Sequence, residues 1–261
     1  MPAPNSSSVS LVSYFFMEVV NVIKFGFRFF QEIFARPAEW NEVKIQCYEI
    51  GYKCISLVSI TSFAMGLVIV IQSRPTLVEF GAGSYLPIMA AVSIFREVGP
   101  LVTALICAGN IGSGISAELG SMKVTEQIDA MEVSGVNPFK FLVVSRIIAT
   151  TLIIPILVMY ADAISLLGAF LGANIKGEIS MQLFFGEVFD NIAFHDIIPA
   201  TIKSFIFGFI IGLVSCYKGY TSEKGTEGVG KAVNSAVIMS LLMVIFLDLI
   251  AVQITSLLNI I

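Results

Sequence analysis

The stretch from Phe80 to Ala117, FGAGSYLPIMAAVSIFREVGPLVTALICAGNIGSGISA, decides the topology of this chain, and its only charges are the adjacent Arg96 and Glu97. Read as one crossing with an interfacial lead-in, it gives five membrane spans. Read as a hairpin turning at Arg96-Glu97, it gives six. A helix needs roughly 20 apolar residues to cross a hydrocarbon core of about 30 Å, so length allows both. The basic residues outside the stretch choose between them. With five spans and the N-terminus inside, Lys24, Arg28, Arg36, Lys44, Lys53, Lys123, Lys140, Arg146, Lys218, Lys224 and Lys231 face the cytosol, which is 11 of the 15 Lys and Arg. A sixth span moves the last six of these outside and erases the bias that normally orients such proteins.

The remaining spans follow from gaps between charges. Residues 54 to 73 are uncharged; 147 to 175 are interrupted only by Asp162, 197 to 217 only by Lys203, and 232 to 261 only by Asp248. The expected spans are therefore about 53–73, 86–117, 141–172, 197–217 and 232–258. Composition agrees: of 261 residues 56% are apolar and 13% charged, with a mean hydropathy of +0.89, against roughly 45–50% and about 25% in soluble domains. This excludes an ordinary water-soluble enzyme. A net charge of −4 without basic runs argues against nucleic acid as a partner. The four cysteines fall singly and read as small core residues, and the lone His195 has no ligand-spaced neighbours.

Residues 11–45 read as an amphipathic interfacial helix and linker. Glu18, Asn21, Lys24, Arg28, Gln31 and Glu32 recur every three or four positions among Phe15, Val19, Ile23, Phe27 and Phe30. Residues 1–10 read as a disordered tail, too short for a transit peptide.

Between the second and third spans, ELGSMKVTEQIDAMEVSGVN (Glu118 to Asn137) reads as a short cytosolic helix over about 121–134, with Gly120 breaking the helix before it. Val124, Ile128 and Met131 share one face, while Lys123, Glu126, Asp129 and Glu132 line the others. It is either a solvated connector or a knob that docks into a partner. GTEGVGKA at 225–232 imitates a phosphate-binding loop, but Ala232 stands where a serine or threonine should hold Mg²⁺, and a membrane span precedes it. It reads as a flexible loop, so ATP energy must come from another subunit.

Small residues repeat every four positions at Ala104, Ala108, Gly112 and Ser116, at Gly168 and Gly172, and at Ser204, Gly208, Gly212 and Cys216. Such stripes pack a bundle or build a homodimer seam. Charges inside spans are costly and mark function or register. Glu97 can pair with Lys203 or Arg96, whereas Asp162 and Asp248 have no evident partner in the sequence.

The run from FREVGP (Phe95 to Pro100) through AELGSMKVTEQIDAMEVSGVNP (Ala117 to Pro138) resembles the MlaE/YrbE permeases, the membrane subunits of ABC transporters serving MCE-type lipid-transport systems. The similarity continues through IKSFIFGF at Lys203 and the 225–232 segment. The resemblance implies an all-α integral membrane fold, an N-terminal interfacial elbow helix plus five transmembrane helices, N-in and C-out, acting as a homodimer in a bacterial inner membrane. It implies a cytosolic ABC ATPase dimer docked on 121–134 through Lys123, Val124, Glu126, Gln127, Ile128, Asp129, Met131 and Glu132. It further implies a periplasmic MCE hexamer, often a STAS-domain protein on the ATPase, and phospholipid as cargo, serving outer-membrane lipid asymmetry. No cofactor belongs to this chain; ATP and Mg²⁺ belong to the ATPase. Carried over by position, Arg96, Glu97 and Lys203 are polar cavity residues, and Ile69, Gln72, Leu77 and Phe80 are cavity wall. Asn110 departs from the family, which often has arginine there. Two rival readings are a secondary transporter using Glu97, Asp162 or Asp248 as a proton relay, and a non-transporting anchor for the MCE assembly.

Overall fold

A computed structural model describes residues 11–33, 39–175, 179–223 and 225–257. The expected tail at 1–10 and part of the linker, 34–38, lie outside the described residues. The described chain contains helices and turns, without strands. They are α1 (Leu11–Ile33), α2 (Trp40–Glu79), α3 (Leu86–Ser93), α4 (Gly99–Val124), α5 (Gln127–Val133), α6 (Ser145–Asn174), α7 (Met181–Asn191), α8 (Phe194–Tyr220) and α9 (Thr226–Leu257). Five runs are long and apolar enough to cross a membrane: Trp40–Glu79, Gly83–Val124, Phe139–Asn174, Phe194–Tyr220 and Thr226–Leu257.

The decisive stretch is one crossing. A single 3₁₀ turn at Gly83–Tyr85 leads into α3, which joins α4 through a π-helical turn, Ile94–Val98, with no reversal at Arg96-Glu97. The π turn has a local cause. Pro100 lacks the N–H that would close an α-turn onto the Arg96 carbonyl, and the Gly99 N–H reaches back five residues to Ile94.

The small-residue stripes are consumed within the chain. A Cβ on Gly66 or Gly168 would strike the backbone of α6 or α2 respectively, at Ser165 and Phe63; one on Gly208 or Gly212 would strike α6 at Thr150. Gly112 faces Ser215, and Ser116 Oγ donates to the Ser215 carbonyl at 3.0 Å. Ala104, Ala108 and Cys216 are fully buried. These stripes therefore pack α2 on α6, α6 on α8 and α4 on α8, rather than marking a homodimer seam.

Helix α1 lies against the bundle by one apolar edge and exposes another. Val22 and Phe29 are buried, while Met17, Val20, Ile23, Phe27 and Phe30 face outward. Phe25 packs edge-on against Phe139 and Tyr217, and Lys218 of α8 donates to Glu18 at 2.6 Å. A helix with polar anchors and a free apolar face suits the membrane interface.

Candidate functional site

At the end of the bundle that carries α7, the π turn sends two neighbouring side chains to α8. Arg96 Nε donates to Asp196 Oδ1 at 2.6 Å, and Lys203 Nζ donates to Glu97 Oε2 at 2.8 Å. Asp196 and Lys203 are two helical turns apart and so share a face of α8. Lys203 also donates to Asp248 Oδ1 of α9 at 2.9 Å, and the Asp196 carboxylate accepts from the Ala193 N–H at 3.1 Å. Asp196, Lys203 and Asp248 are buried, while 40% of the Glu97 side chain is accessible. The pairings settle the alternatives left open by the sequence. Glu97 takes Lys203, Arg96 takes Asp196, and Asp248, which had no evident partner, is the second carboxylate of Lys203.

Arg96, Glu97, Lys203 and Asp196 line one cavity of about 30 Å³ with Ala251, Val252 and Thr255 of α9. That is far below the roughly 300–1,000 Å³ of ligand pockets. The expected wall residues are not in it. Ile69 and Leu77 pack partly into an apolar cluster around Val70, Leu86 and Phe184, Gln72 is exposed, and Phe80 is 80% exposed beyond the end of α2. One chain therefore assembles the charged half of the expected set and leaves the apolar half elsewhere. A larger cavity of about 540 Å³ lies between α2 and α4 toward the α5 end, lined by Gln46, Glu49, Lys53, Asn110 and Glu118 among others. In its wall Asn110 donates to the Lys53 carbonyl at 3.2 Å, which occupies the position where the family often has arginine.

The polar connection after α4 differs from expectation in two respects. Gly120 does not break the helix: α4 continues to Val124, because the missing Cβ admits Val229 of α9. The break comes at Thr125-Glu126, where Glu126 adopts a left-handed φ of 58°, so α5 is shorter than 121–134. Ile128 is 2% exposed and belongs to the core with Leu119 and Phe139, and Met131 and Val124 are half-buried. The face read as a set of docking anchors is thus already used by this chain. Glu126, Gln127, Asp129 and Glu132 are exposed, with Val133 91% exposed beside them, and Lys123 pairs with Asp129 at 3.3 Å. The following turn is tied to α1, since Asn137 donates to Glu32 at 3.1 Å and Arg28 stacks over Phe139 at 4.2 Å. The segment at 225–232 is also not a loop. After Gly225 at φ 103° it forms the first turns of α9, supported by a Lys231–Glu227 pair at 2.8 Å, and it follows a helix rather than a strand.

The sequence profile described as Permease MlaE matches residues 43–254. The chain belongs to this family. Probable ABC transporter permease proteins of Rickettsia typhi and Rickettsia prowazekii are each 35% identical over 85% of this chain and 85% of their own length. The chloroplastic protein TRIGALACTOSYLDIACYLGLYCEROL 1 of Arabidopsis thaliana is 32% identical over 80% of this chain and 60% of its own. As an MlaE permease, the chain is a multi-pass membrane protein of an ABC transporter, a class that works with an ATPase partner.

Two members of the charged cluster, Asp196 and Asp248, were not singled out as site residues. Asp248 was visible as a charge inside a span. Asp196 stands at the edge of the 197–217 span, and in the sequence only its seven-residue spacing from Lys203 points to a shared face.

Proposed function

We propose that this MlaE permease moves phospholipid between a bacterial inner membrane and a periplasmic MCE hexamer, as an N-in, C-out homodimer driven by a cytosolic ATPase dimer that docks on the exposed rim of α5, and that it serves outer-membrane lipid asymmetry. The family match across 43–254 carries the reading, and the diacylglycerol lipid in the name of the Arabidopsis relative supports the cargo class. Two features of the site support the mechanism. The cavity beside Arg96, Glu97 and Lys203 is too small for a lipid in one chain, which fits a lipid site completed by a second copy. Glu97 is the exposed member of a cluster in which Lys203 already has a second carboxylate, so it can turn to a cationic head group without leaving Lys203 unpaired. Nucleotide-driven motion would reach α4 directly through Thr125-Glu126, and α1 through Asn137 and Glu32.

Native mass spectrometry of the complex captured through this chain tests the reading. An ATPase dimer, a hexameric MCE protein and one bound phospholipid are expected, with a STAS-domain protein as an optional addition. A homodimer with no ATPase would favour a secondary transporter and remove the role given to α5. The double variant Glu126→Lys/Glu132→Lys is expected to weaken ATPase association at least tenfold while leaving the chain folded; unchanged association would remove these two carboxylates from the interface.

A further inference from the structure

On the neighbouring face of α8 to the charged cluster lies a cavity of about 130 Å³, lined by Phe95, Pro155, Asp162, Thr201 and Ser204 among others; Ala200 lines both cavities. Asp162 is 5% exposed, near the middle of the Phe139–Asn174 run, and its Oδ1 is buried without a hydrogen-bond partner. It rests against the backbone of Gly99, where a Cβ would collide with the carboxyl. Among the described residues it has no ion pair. The charged side chains on neighbouring elements, Arg96 and Glu97 on the π turn with Asp196 and Lys203 on α8, are bonded to each other, and α2 is uncharged from 54 to 73.

The cavity's other oxygens are acceptors too. Thr201 Oγ1 gives its proton to the Ile197 carbonyl at 2.9 Å and Ser204 Oγ gives its proton to the Thr201 carbonyl at 2.7 Å, so both hydroxyls offer the cavity lone pairs only. An unpaired carboxyl and two hydroxyl acceptors in an otherwise apolar cavity, at a depth where an isolated charge is expensive, are satisfied by a positive occupant. The space suffices for such an ion with part of its hydration, since a water needs about 10–15 Å³ of cavity.

We propose that this cavity binds one sodium ion, with Asp162 as its charge partner and Thr201 and Ser204 as neutral oxygen donors. Occupancy ties α6 to α8 and to the π turn that carries Arg96 and Glu97, so the cation stabilises the arrangement in which the charged cluster is closed.

The test uses the full chain in lipid nanodiscs, with ²²Na⁺ binding and thermal unfolding measured against choline chloride at constant ionic strength. Saturable uptake near one ion per chain is expected, displaced as pH falls, lost at least tenfold in Asp162→Asn and weakened about threefold or more in Ser204→Ala. Absence of saturable ²²Na⁺ binding to the wild type overturns the proposal whatever the acid response of the unfolding midpoint, because any buried carboxyl stabilises the fold as it takes up a proton. Identical responses of wild type and Asp162→Asn to sodium overturn it as well. Should Asp162→Asn not fold, a Ser204→Ala variant indistinguishable from wild type in both measurements overturns it equally.

Discussion

Lys203 and Lys123 each hold a carboxylate at hydrogen-bonding distance, 2.8 and 3.3 Å, but the two contacts do different things. Lys203 is 7% exposed and bridges the π turn, α8 and α9, whereas Lys123 is 31% exposed, its partner Asp129 52%, and the two lie six residues apart, on either side of the turn between α4 and α5. A buried charge left without a partner is costly, and an exposed pair competes with water and salt. The α7 end of the bundle is therefore locked by charge. The α5 end is held by apolar contacts, Ile128 and Phe139 above all, and its acidic rim is exposed.

The most severe way to break this contrast is Lys203→Met. It strands Glu97 and Asp248 as two carboxylates facing each other, and removing one partner of a buried pair costs about 3–5 kcal/mol. A large fall in the unfolding midpoint of the purified chain is expected, with most of it recovered by adding Asp248→Asn. Lys123→Met should cost under about 1 kcal/mol in the same assay. Equal effects at the two lysines would show that burial does not separate the two ends.

Helix packing gives an intermediate test between the same halves of the molecule. Gly66→Ala places a methyl group on the Ser165 carbonyl, in the seam where α2 meets α6, and should destabilise by about 1–3 kcal/mol through overpacking. Gly109→Ala adds the same methyl to α4 where nothing lies within 4 Å, and should be neutral or slightly stabilising, since alanine favours helix by up to about 1 kcal/mol. Unfolding midpoints of the two variants side by side decide whether the small residues of this fold act by close approach or only by flexibility.

The sequence disclosed the spans because hydrocarbon imposes a length and excludes charge, and both constraints are written residue by residue. It also disclosed that Arg96, Glu97 and Lys203 matter, because a charge inside a span is an anomaly wherever it falls. Partner choice was a different kind of quantity. Whether Glu97 takes Arg96 or Lys203 depends on the π turn, which follows from Pro100, and on where α9 brings Asp248. The helix at 121–134 was legible as amphipathic, but periodicity cannot say whether an apolar face meets its own chain or another. Ile128 shows that here it meets its own. Gly120 misled for a related reason. A glycine near a polar stretch reads as a stop, and only the approach of Val229 reveals that its missing side chain serves packing.

The smallest expected effect sharpens the same comparison at the α5 end. Glu126 is the one non-glycine with positive φ among the described residues, and the left-handed region costs an L-residue roughly 1–2 kcal/mol. The Thr125 and Glu126 N–H groups close the end of α4 onto Ser121 and Lys123 while Ala130 reaches back to the Glu126 carbonyl. Both helices therefore use this one residue as their boundary, and the strain sits where movement of α5 must enter α4. Glu126→Gly should relieve it and raise stability by up to about 1 kcal/mol, offset by glycine's greater freedom in the unfolded chain. Glu126→Ala retains the strain and should not. If the turn transmits force from the ATPase, the glycine variant folds at least as well as wild type yet couples hydrolysis to transport less tightly, because a relaxed joint can bend without moving α4. A glycine variant with unaltered coupling would leave the left-handed turn as a feature of chain reversal alone.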